Sequence, residues 1–349
     1  MIEKVTIYDI AKKLGLTAAT VSRALNNHPK ISAKTKHLVI EAAYKMNYKQ
    51  NKLAKALQSG KSKNIGVIVP RIDSNFFASI IRGIEDALHP EGFHVIICPT
   101  YENGQREIQN INALLNAQVD GILLSISDEN QENKQVINRV LSEKVPLVFF
   151  DRKMNVDAAS SVIIDDFEGG YLATQHLIDE GCNRIAHFTG DQSLEIFQKR
   201  TEGYRQALSD NDLKYCDDYV IQIKSNIDSG KLAIQKLLNL NNPPDAIFST
   251  SDFAALGAIQ ELKEKNIRIP EDFSVVGFGN EPFTQFMELA ISSIDQFPME
   301  MGKMAAKVFL EKISGIGNVE IHKNVVLVPE LLARKSSNRK LDKSFSSTR

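Results

Sequence analysis

The feature that most constrains the fold of this 349-residue chain is an alternation of strand-like and helix-like segments beyond residue 63. Short apolar runs begin with residues 65–69 and alternate with segments of helical periodicity up to residue 150. The same alternation begins again after residue 163. Apolar strands separated by helices favour parallel, doubly wound sheets with helices on both faces. The sequence therefore predicts two similar α/β lobes that follow one another along the chain.

The boundaries of the lobes follow from where this alternation is interrupted. Residues 293–296 are interpreted as a crossover, because a later helix and strand can return to the first lobe. Two doubly wound lobes enclose a cleft where the carboxyl ends of their strands face each other. We therefore assign residues 64–163 and 296–327 to an N-terminal lobe, and residues 164–295 and 328–335 to a C-terminal lobe.

A basic head precedes the two lobes. Residues 1–63 contain thirteen Lys and Arg against three Asp and Glu, a formal charge of +10. Of the chain's 42 basic and 43 acidic residues, this leaves 29 and 40 for residues 64–349, a formal charge of −11. A compact cationic segment joined to an acidic body is typical of a nucleic-acid-binding domain attached to another function.

Short helices separated by a glycine turn are predicted within residues 1–48. Thr6 begins a capping-box-like start, and Gly15 can adopt the left-handed conformation that ends a helix. Thr17 is a good N-cap for the second helix, and Ser32 for a third. Two short helices joined by a glycine-containing turn are the signature of a helix-turn-helix. The head is therefore predicted to be an all-α, DNA-binding domain. The alternative is a three-helix domain that packs against another protein.

In a helix-turn-helix, the N-terminal part of the second helix enters the major groove of DNA. Arg23 can bind a guanine through O6 and N7, which is worth about 1–3 kcal/mol of discrimination, whereas alanine side chains can contact only thymine methyl groups. Polar side chains near the helix starts suit phosphates, which position the domain without specifying sequence. The predicted base contacts are Ala18, Ala19, Ser22 and Arg23, and the predicted phosphate contacts are Tyr8, Thr20, Asn26, Ser32, Lys34 and Thr35.

The segment 49–63 is predicted to be a hinge and not a plain polar linker. Asn51, Leu53, Ala54 and Leu57 lie among strong helix formers, but a helix of roughly two or three turns is marginal alone in water. We expect it to form when DNA and a second copy of the chain are present. Leu57 among lysines suits a wedge that opens a base step in the minor groove. Packing of Leu57 on the neighbouring domain is an equal alternative.

Polar side chains at the predicted carboxyl ends of the strands are candidates for binding a small molecule in the cleft. A sugar or a purine needs planar hydrogen-bonding groups and an aromatic surface, and Arg200 at a helix start can reach a ligand with two parallel hydrogen bonds. For each residue alone, a surface salt bridge or a loop cap is an equally good explanation. The candidates are Phe76, Ser125, Asp151, Asp165 or Asp166, Arg200, Ser251, Asp252, Asn280 and Glu281.

Motifs in both parts of the chain occur together in one known family. The head contains Asp9-Ile10-Ala11 and Thr20-Val21-Ser22-Arg23-Ala24-Leu25-Asn26; the body contains Val119-Asp120-Gly121, Arg200 with Gly203-Tyr204, Ser251-Asp252 and Phe273-Ser274-Val275-Val276-Gly277-Phe278. From about Thr6 to Arg334 the chain resembles the lactose-repressor and purine-repressor family of bacterial transcription regulators. The head motifs are highly specific, and the body motifs are individually weak and jointly strong.

The resemblance implies a homodimer on palindromic, double-stranded operator DNA, with paired hinge helices, Leu57 as the inserted wedge, and a two-lobed core like that of periplasmic binding proteins. It also implies that a small effector, expected to be sugar-like, changes the lobe angle and so the hinge spacing. Carried over residue by residue, Arg200 binds the effector, and Asp151, Ser251 and Phe76 line the cleft. Gly279 stands where the family often has an acidic residue, and Asn280 or Glu281 is expected to replace it.

Other classes of protein are less favoured. The N-terminus lacks the apolar core of a signal peptide, and no stretch of about 18 apolar residues could span a membrane. The three cysteines are far apart and indicate neither a disulfide framework nor a metal site. Phosphate-binding and catalytic motifs are absent from the sequence, so no metal or cofactor is predicted.

We therefore expect a cytoplasmic regulator, more readily a repressor than an activator, with a solute-binding protein and then an enzyme as the alternatives. Residues 336–349 contain no leucine heptad and are expected to form a disordered tail without a tetramerising coiled coil.

Overall fold

A computed structural model describes residues 5–48, 61–127, 129–156, 158–314 and 322–339. The chain divides into two compact units, Met1–Ser62 and Lys63–Arg349. The hinge residues Asn51, Leu53, Ala54 and Leu57 lie outside the described residues, and so does the tail from residue 340.

The first unit contains three helices, α1 (Ile7–Leu14), α2 (Ala18–Leu25) and α3 (Ala33–Lys45). The Asp9 carboxylate accepts hydrogen bonds from the Thr6 backbone N–H at 2.8 Å and from the Thr6 hydroxyl at 2.7 Å, which stabilises the first turn of α1. Gly15 ends α1 with φ of 64°, the left-handed conformation that a glycine adopts most easily. The turn between α1 and α2 therefore follows from local sequence.

Side-chain caps begin the next two helices. The Thr17 hydroxyl accepts from the Thr20 N–H at 3.1 Å, and the Ser32 hydroxyl accepts from the Thr35 N–H at 3.2 Å. The three helices enclose a small core of fully or nearly buried apolar side chains, which include Ile10, Val21, Ala24 and Val39. The predicted helix-turn-helix is confirmed in its helix limits and in its caps.

The second unit begins with a six-stranded parallel sheet in the strand order β11-β5-β4-β3-β1-β2. Its strands are β1 (Asn64–Val69), β2 (His94–Pro99), β3 (Gly121–Leu124), β4 (Leu147–Phe150), β5 (Ser160–Ile164) and β11 (Asn324–Leu327). Helices α4 (Asn75–Leu88), α5 (Gly104–Asn116), α6 (Gln131–Ser142) and α12 (Pro298–Ser314) connect or cover these strands, and a short 3-10 helix covers His89–Glu91. The central strands β3 and β4 are buried throughout, as expected for a sheet with helices on both faces.

A second six-stranded sheet has the strand order β12-β10-β9-β8-β6-β7. Its strands are β6 (Ile185–Thr189), β7 (Val220–Gln222), β8 (Ala246–Ser249), β9 (Ser274–Phe278), β10 (Ser292–Asp295) and β12 (Glu330–Leu332). Its helices are α7 (Asp166–Asp179), α8 (Glu195–Asp210), α9 (Ile227–Leu238), α10 (Asp252–Glu264) and α11 (Phe283–Phe286), with a 3-10 helix at Asp217–Tyr219. The edge strand β12 is antiparallel to β10, whereas the other pairs are parallel.

The chain passes from one sheet to the other after β5, after β10 and after β11. The prediction of a crossover at 293–296 was wrong for most of that segment, because Ser292–Asp295 forms strand β10 beside β9. The crossover begins at Gln296. Strand β5 was not predicted, because two serines open it; both are buried, with Ser160 Oγ accepting from the Lys323 N–H and Ser161 Oγ donating to Asn324.

Neighbouring helices cross at glycines, where no side chain separates the two backbones. A Cβ atom on Gly203 of α8 would lie 2.1 Å from the Phe167 carbonyl oxygen of α7, and one on Gly170 of α7 would lie 2.2 Å from the Arg200 carbonyl oxygen. Glycine pairs also mark the crossings of α4 with α12 and of α9 with α10. The close approach of α7 to α8 is what brings their polar side chains together.

The expectation of disorder from residue 336 onward was wrong for the described residues 336–339. Ser336 is fully buried, accepts a hydrogen bond from the Ser292 N–H at 2.8 Å and donates one to the Val275 carbonyl at 2.6 Å. Arg339 donates from Nε to the Pro270 carbonyl oxygen at 2.9 Å. Short polar residues look like a tail in sequence, but here they hydrogen-bond to the ends of the second sheet.

Over the same described ranges, no helix has the length and apolar character needed to cross a membrane. In that part of the chain no group of His, Cys, Asp and Glu side chains is arranged to hold a metal ion, and the three cysteines are free thiols.

Candidate DNA interface and effector cleft

Helix α2 presents two of its predicted base contacts to solvent. Ala19 and Arg23, one helical turn apart, are exposed, while Val21 and Ala24 on the opposite side are buried. Ser22 is half-buried, and Ala18 packs against the core of the head. Ala19 and Arg23 thus form a free face that a DNA groove can meet, whereas Ala18 is partly used in packing.

The predicted phosphate contacts surround the starts and ends of the helices. Tyr8 is 71% exposed and Lys34 is exposed. Hydroxyl pairs lie within hydrogen-bond distance at both caps, Thr17 with Thr20 and Ser32 with Thr35, each at 2.9 Å. Asn26 donates from Nδ2 to the Ser22 carbonyl at 3.0 Å, which closes the end of α2. These hydroxyl and amide groups are held in place by local bonds.

A cavity of about 230 Å³ lies in the second unit, where loops of both sheets meet. The loop after β4 contributes Asp151, Arg152 and Lys153, the end of β5 and the start of α7 contribute Asp165 and Asp166, and the start of α8 also lines it. The remaining lining is largely aliphatic: Ile126, Ile163, Ile164, Leu194, Ile196 and Val326, with Phe167 and the charged Glu129, Glu195 and Lys199. This is the interlobe position that the topology of doubly wound sheets predicts.

Two predicted residues of the first lobe are in direct contact. Ser125 donates from Oγ to Asp151 Oδ2 at 2.9 Å, and both residues are buried. Asp151 has φ of 59°, an uncommon conformation for a residue other than glycine, immediately after β4. Burial raises the pKa of Asp151, and the charges of Arg152 and Arg200 and the Ser125 hydrogen bond only partly offset this effect.

Arg200 and Asp166, both predicted, form a buried ion pair in the second lobe. Arg200 Nε donates to Asp166 Oδ1 at 2.8 Å, and Nη2 lies 3.3 Å from Gln296 Oε1. The Arg200 guanidinium carbon lies 3.7 Å from the centre of the Phe278 ring. Burial raises the pKa of Asp166 to about 6, although the charge and hydrogen bond of Arg200 lower it.

The prediction that Arg200 sits at a helix start was wrong. Helix α8 begins at Glu195, which places Arg200 in the second turn and leaves it only 4% exposed. The first turn of α8 was not predicted, because Leu194, Ile196 and Phe197 look like a loop of mixed polarity. Arg200 is therefore a buried, pre-oriented side chain, and its partners Gln296 and Phe278 were not predicted.

Asp252 is bound internally by the loop that follows β9. Its Oδ2 accepts from the Glu281 N–H at 2.8 Å, and its Oδ1 accepts from Ser293 Oγ at 2.7 Å. Burial raises the pKa of Asp252 to about 6. Asn280 is similarly engaged, because its Nδ2 donates to Asp295 at 2.9 Å and its Oδ1 accepts from Arg334 at 2.7 Å. Both residues support the loop and are not directed to the cavity lining.

The other candidates occupy different surroundings. Burial, followed by the charge of Asp252, raises the pKa of the Glu281 carboxyl to about 7. Ser251 is buried at the N-cap of α10. Phe76 is half-buried and packs edge-on against Phe77 with ring centres 5.1 Å apart. Among the described residues, the lining of the cavity includes the predicted Asp151, Asp165 and Asp166 but not Phe76, Ser125, Arg200, Ser251, Asp252, Asn280 or Glu281.

Sequence comparison covers almost the whole chain. Residues 6–51 match the family described as bacterial regulatory proteins of the lacI family, and residues 62–336 match the periplasmic binding proteins and sugar binding domain of the LacI family. The HTH-type transcriptional regulator DegA of Bacillus subtilis is 32% identical over 335 residues, which are 96% of this chain and 98% of that relative. The HTH-type transcriptional repressor PurR of Pasteurella multocida is 32% identical over 342 residues, 96% and 99% of the two chains.

Comparison of structures agrees with this assignment. A CelR–cellobiose complex superimposes with a TM-score of 0.72 at 28% identity and covers 95% of this chain and 100% of that one. The lac repressor dimer bound to operator and the anti-inducer ONPF has a TM-score of 0.86 over 96% and 99% of the chains, and at 24% identity it supports the fold alone.

The head and then the core match the two parts of one family of regulators, and the relatives DegA and PurR are transcriptional regulators. These findings favour a regulator over the two alternatives, a solute-binding protein and an enzyme. The chain belongs to the LacI family of bacterial regulatory proteins.

Proposed function

We propose that this protein is a cytoplasmic repressor that binds a palindromic operator as a homodimer and responds to a sugar-like effector held between the two lobes. The observation that carries the DNA-binding half is the free face of α2, on which Ala19 and Arg23 are exposed above a buried Val21 and Ala24. Arg23 would read a guanine, and Ala19 would contact a thymine methyl group or leave that position unread.

The dimeric, hinge-dependent part of the proposal rests on family membership and on the sequence of residues 49–63. The Pasteurella multocida relative PurR is a transcriptional repressor. Two copies of the head on adjacent half-sites would bring two hinge segments together, with Leu57 as the wedge in the minor groove.

The effector half rests on the chemistry of the cleft. Asp151 lines the cavity with one carboxylate oxygen bound to Ser125, and carboxylates are strong acceptors for the hydroxyl groups of a sugar. Aliphatic side chains around it can pack against the carbon-bound faces of a sugar ring. Relatives with bound cellobiose and with bound ribose support the same class of ligand. Arg200, fixed by Asp166 and Phe278, would bind the effector from the second lobe.

The experiment is selection of an operator from random double-stranded DNA by the full chain, followed by fluorescence anisotropy with the selected site. We expect Arg23→Ala to lose about tenfold to hundredfold in specific affinity with little change on random DNA. Lys13→Ala, which removes an exposed cation from α1, is the matched control. Equal loss on both kinds of DNA for Arg23→Ala would mean that this side chain contacts phosphate only.

Addition of neutral sugars to the operator complex tests the effector half. We expect one of them to change operator affinity in the wild-type protein. A panel of sugars that leaves both operator affinity and thermal stability unchanged would contradict the sugar-like effector, because any ligand that binds the native state raises its apparent stability.

A further inference from the structure

The cations around the cleft are already paired with carboxylates of the protein itself. Arg152 donates from Nη1 to Glu102 Oε2 at 2.7 Å and from Nη2 to Glu102 Oε1 at 3.3 Å, a bidentate pair. Arg200 donates to Asp166, as described above. Of the two lysines in the described lining, Lys199 lies 2.7 Å from Glu202 Oε2 and Lys153 lies 4.0 Å from Glu195 Oε2.

The charge of the described lining is negative as well. Its carboxylates outnumber its cations by five to three. Asp151 and Asp166 are both buried, and desolvation works against the charge of each. An effector with a phosphate or carboxylate group would therefore enter an acidic site in which no guanidinium is free to receive it.

Whether the cleft can receive an anionic effector depends on the pairing of Arg152. Arg152 is one of the residues that line the cavity and Glu102 is not, so the ion pair joins the lining to the loop that carries Glu102. Its Nε is buried without a hydrogen-bond partner in the described part of the chain and lies 3.7 Å from Asp151 Oδ2. Burial opposes the charge of Arg152, and the neighbouring carboxylates of Glu102 and Asp151 more than offset it, so that its pKa is raised.

The loop that carries Glu102 is held in an unfavourable conformation. Tyr101 has φ of 54° and Glu102 has φ of 58°, so that two successive residues with side chains lie in the left-handed region. Such a conformation persists in residues with side chains only where the surrounding structure imposes it. The Arg106 guanidinium over the Tyr101 ring at 5.1 Å and the Asn103 cap of α5 hold this loop on either side of the bidentate pair.

We infer that Glu102 determines the specificity of the effector site: by occupying Arg152 it restricts the cleft to effectors without an anionic group. This inference rests on the proposed function of the cleft and narrows it. Neutral or amine-bearing polyols fit, and sugar phosphates, sugar acids and nucleotides are rejected. Glu102 acts through Arg152, so it is a positioning residue and need not contact the effector.

The test uses the full chain and Glu102→Gln, which retains the size of the side chain and removes its charge. The probes are inorganic phosphate and two matched sets, glucose with glucose 6-phosphate and gluconate, and ribose with ribose 5-phosphate, in calorimetry and thermal-shift assays. In the wild type we expect no phosphate binding at the cleft. For each neutral sugar that binds, we expect its phosphate or acid form to bind with an affinity lower by about tenfold or more. Glu102→Gln should gain about tenfold or more in affinity for phosphate or for the sugar phosphate.

Two control variants separate this explanation from a general change in charge. Glu195→Gln removes a carboxylate from the same lining and releases the weakly paired Lys153 ammonium in place of a guanidinium, and we expect a gain in anion affinity well below that of Glu102→Gln. Glu102→Gln combined with Arg152→Met should lose the gain, because the guanidinium that would bind the anion is no longer present. A gain of equal size in Glu195→Gln would overturn the inference in favour of a simple electrostatic effect.

The remaining outcomes are also decisive. Wild-type protein that binds phosphate or a sugar phosphate through Arg152 as tightly as the variant would overturn the inference. The inference would also be overturned if Glu102→Gln folds, has the melting temperature of the wild type and gains no affinity for phosphate or for the sugar phosphate. If no neutral sugar binds the wild type, the sugar-like effector has failed, but the phosphate measurements still decide whether Glu102 sequesters Arg152. If Glu102→Gln does not fold, the wild-type comparison of each sugar with its anionic form decides the inference alone.

Discussion

Individual side chains in the cleft are oriented before any ligand arrives. Arg200 has its Nε on Asp166, its Nη2 near Gln296 and its flat face over Phe278. A guanidinium held in this way loses little conformational freedom on binding a ligand. The same partners make the residue part of the fold, since a buried ion pair that loses one member leaves an uncompensated charge.

Arg200→Lys tests this role. The ammonium group keeps the charge beside Asp166 but cannot provide planar, bidentate donors, so we expect effector affinity to fall by about tenfold to hundredfold while operator affinity in the absence of effector is kept. Calorimetry with the effector and anisotropy with the operator are the measurements. Arg205→Lys, the same change at an exposed arginine of α8 outside the cavity lining, should leave effector affinity within about threefold. Normal effector affinity in Arg200→Lys would refute the role of this side chain.

The raised pKa of Glu281 predicts that the stability of the folded protein depends on pH. The folded state raises its pKa from an ordinary value near 4.5 to about 7, so the native protein binds more protons than the unfolded chain between these values. Stability from this group is therefore present below about pH 4.5 and is lost as the pH rises to about 7. The Glu281→Gln variant has no carboxyl at this position, so it does not lose this stability as the pH rises. We expect the variant to be more stable than wild type by about 1–3 kcal/mol at pH 8 and nearly equal at pH 4.5.

Urea unfolding of both proteins at the two pH values measures this difference. Glu288→Gln, which changes an exposed carboxyl just beyond α11, should show no such dependence on pH. A difference between Glu281→Gln and wild type that is the same at pH 4.5 and pH 8 would mean that the carboxyl is not responsible.

At the scale of elements, the site is built by helices that touch at glycines. Helix α7 carries Asp166 and α8 carries Arg200, and the two backbones meet at Gly170 and Gly203. Replacement of either glycine adds a Cβ within about 2 Å of a carbonyl oxygen of the other helix. The helices would have to separate, and the 2.8 Å bond between Arg200 and Asp166 would lengthen with them.

Gly203→Ala is therefore expected to lower both stability and effector affinity. Overpacking of this kind costs about 1–3 kcal/mol of stability. Gly257→Ala is the matched control, because its Cβ would lie 2.0 Å from the Ile227 carbonyl oxygen at the α9–α10 crossing, within the same lobe but at another helix pair. Thermal unfolding should show a loss in both variants, and calorimetry should show weaker effector binding in Gly203→Ala alone. Equal effects on effector binding would assign the change to general destabilisation.

Helices and strands of this protein could be predicted where neighbouring residues in the sequence determine their limits. Thr6, Gly15 and Thr17 determine the start, the end and the next start of the head helices, and apolar runs determine the central strands of both sheets. Strand β5 was missed because Ser160 and Ser161 satisfy their hydroxyls only through residues 323 and 324, which are distant in sequence.

Ser125, Asp151 and Asp166 could be proposed as site candidates from sequence because they follow strands or open a helix, whereas Arg200 was proposed from a helix start that the structure places at Glu195. The pairing of Arg152 with Glu102, the Gln296 contact and the internal use of Asp252 and Asn280 depend on how loops from separate strands meet, and no local pattern records that.

At the scale of the whole molecule, the separation of charge predicts how operator binding depends on salt. The basic head releases counterions from the phosphates that it neutralises, so the logarithm of the binding constant should fall linearly with the logarithm of salt concentration, by about 0.9 per phosphate contact. We expect Lys34→Ala to reduce this slope by about 1. Lys263→Ala, which removes an exposed lysine of the two-lobed second unit, should leave the slope unchanged. Anisotropy titrations at several salt concentrations measure it, and identical slopes for Lys34→Ala and wild type would remove Lys34 from the phosphate contacts.

The repeated passage of the chain between the two sheets also has a consequence during protein synthesis. A nascent chain that has reached residue 290 still lacks helix α12, against which Gly83 and Ile80 of α4 pack, and lacks strands on the edges of both sheets. Neither lobe can close until the last part of the message has been translated. A premature stop codon in this region would therefore leave both halves with uncovered apolar surface, so that its product is removed by cellular proteases and does not persist as a partly active repressor.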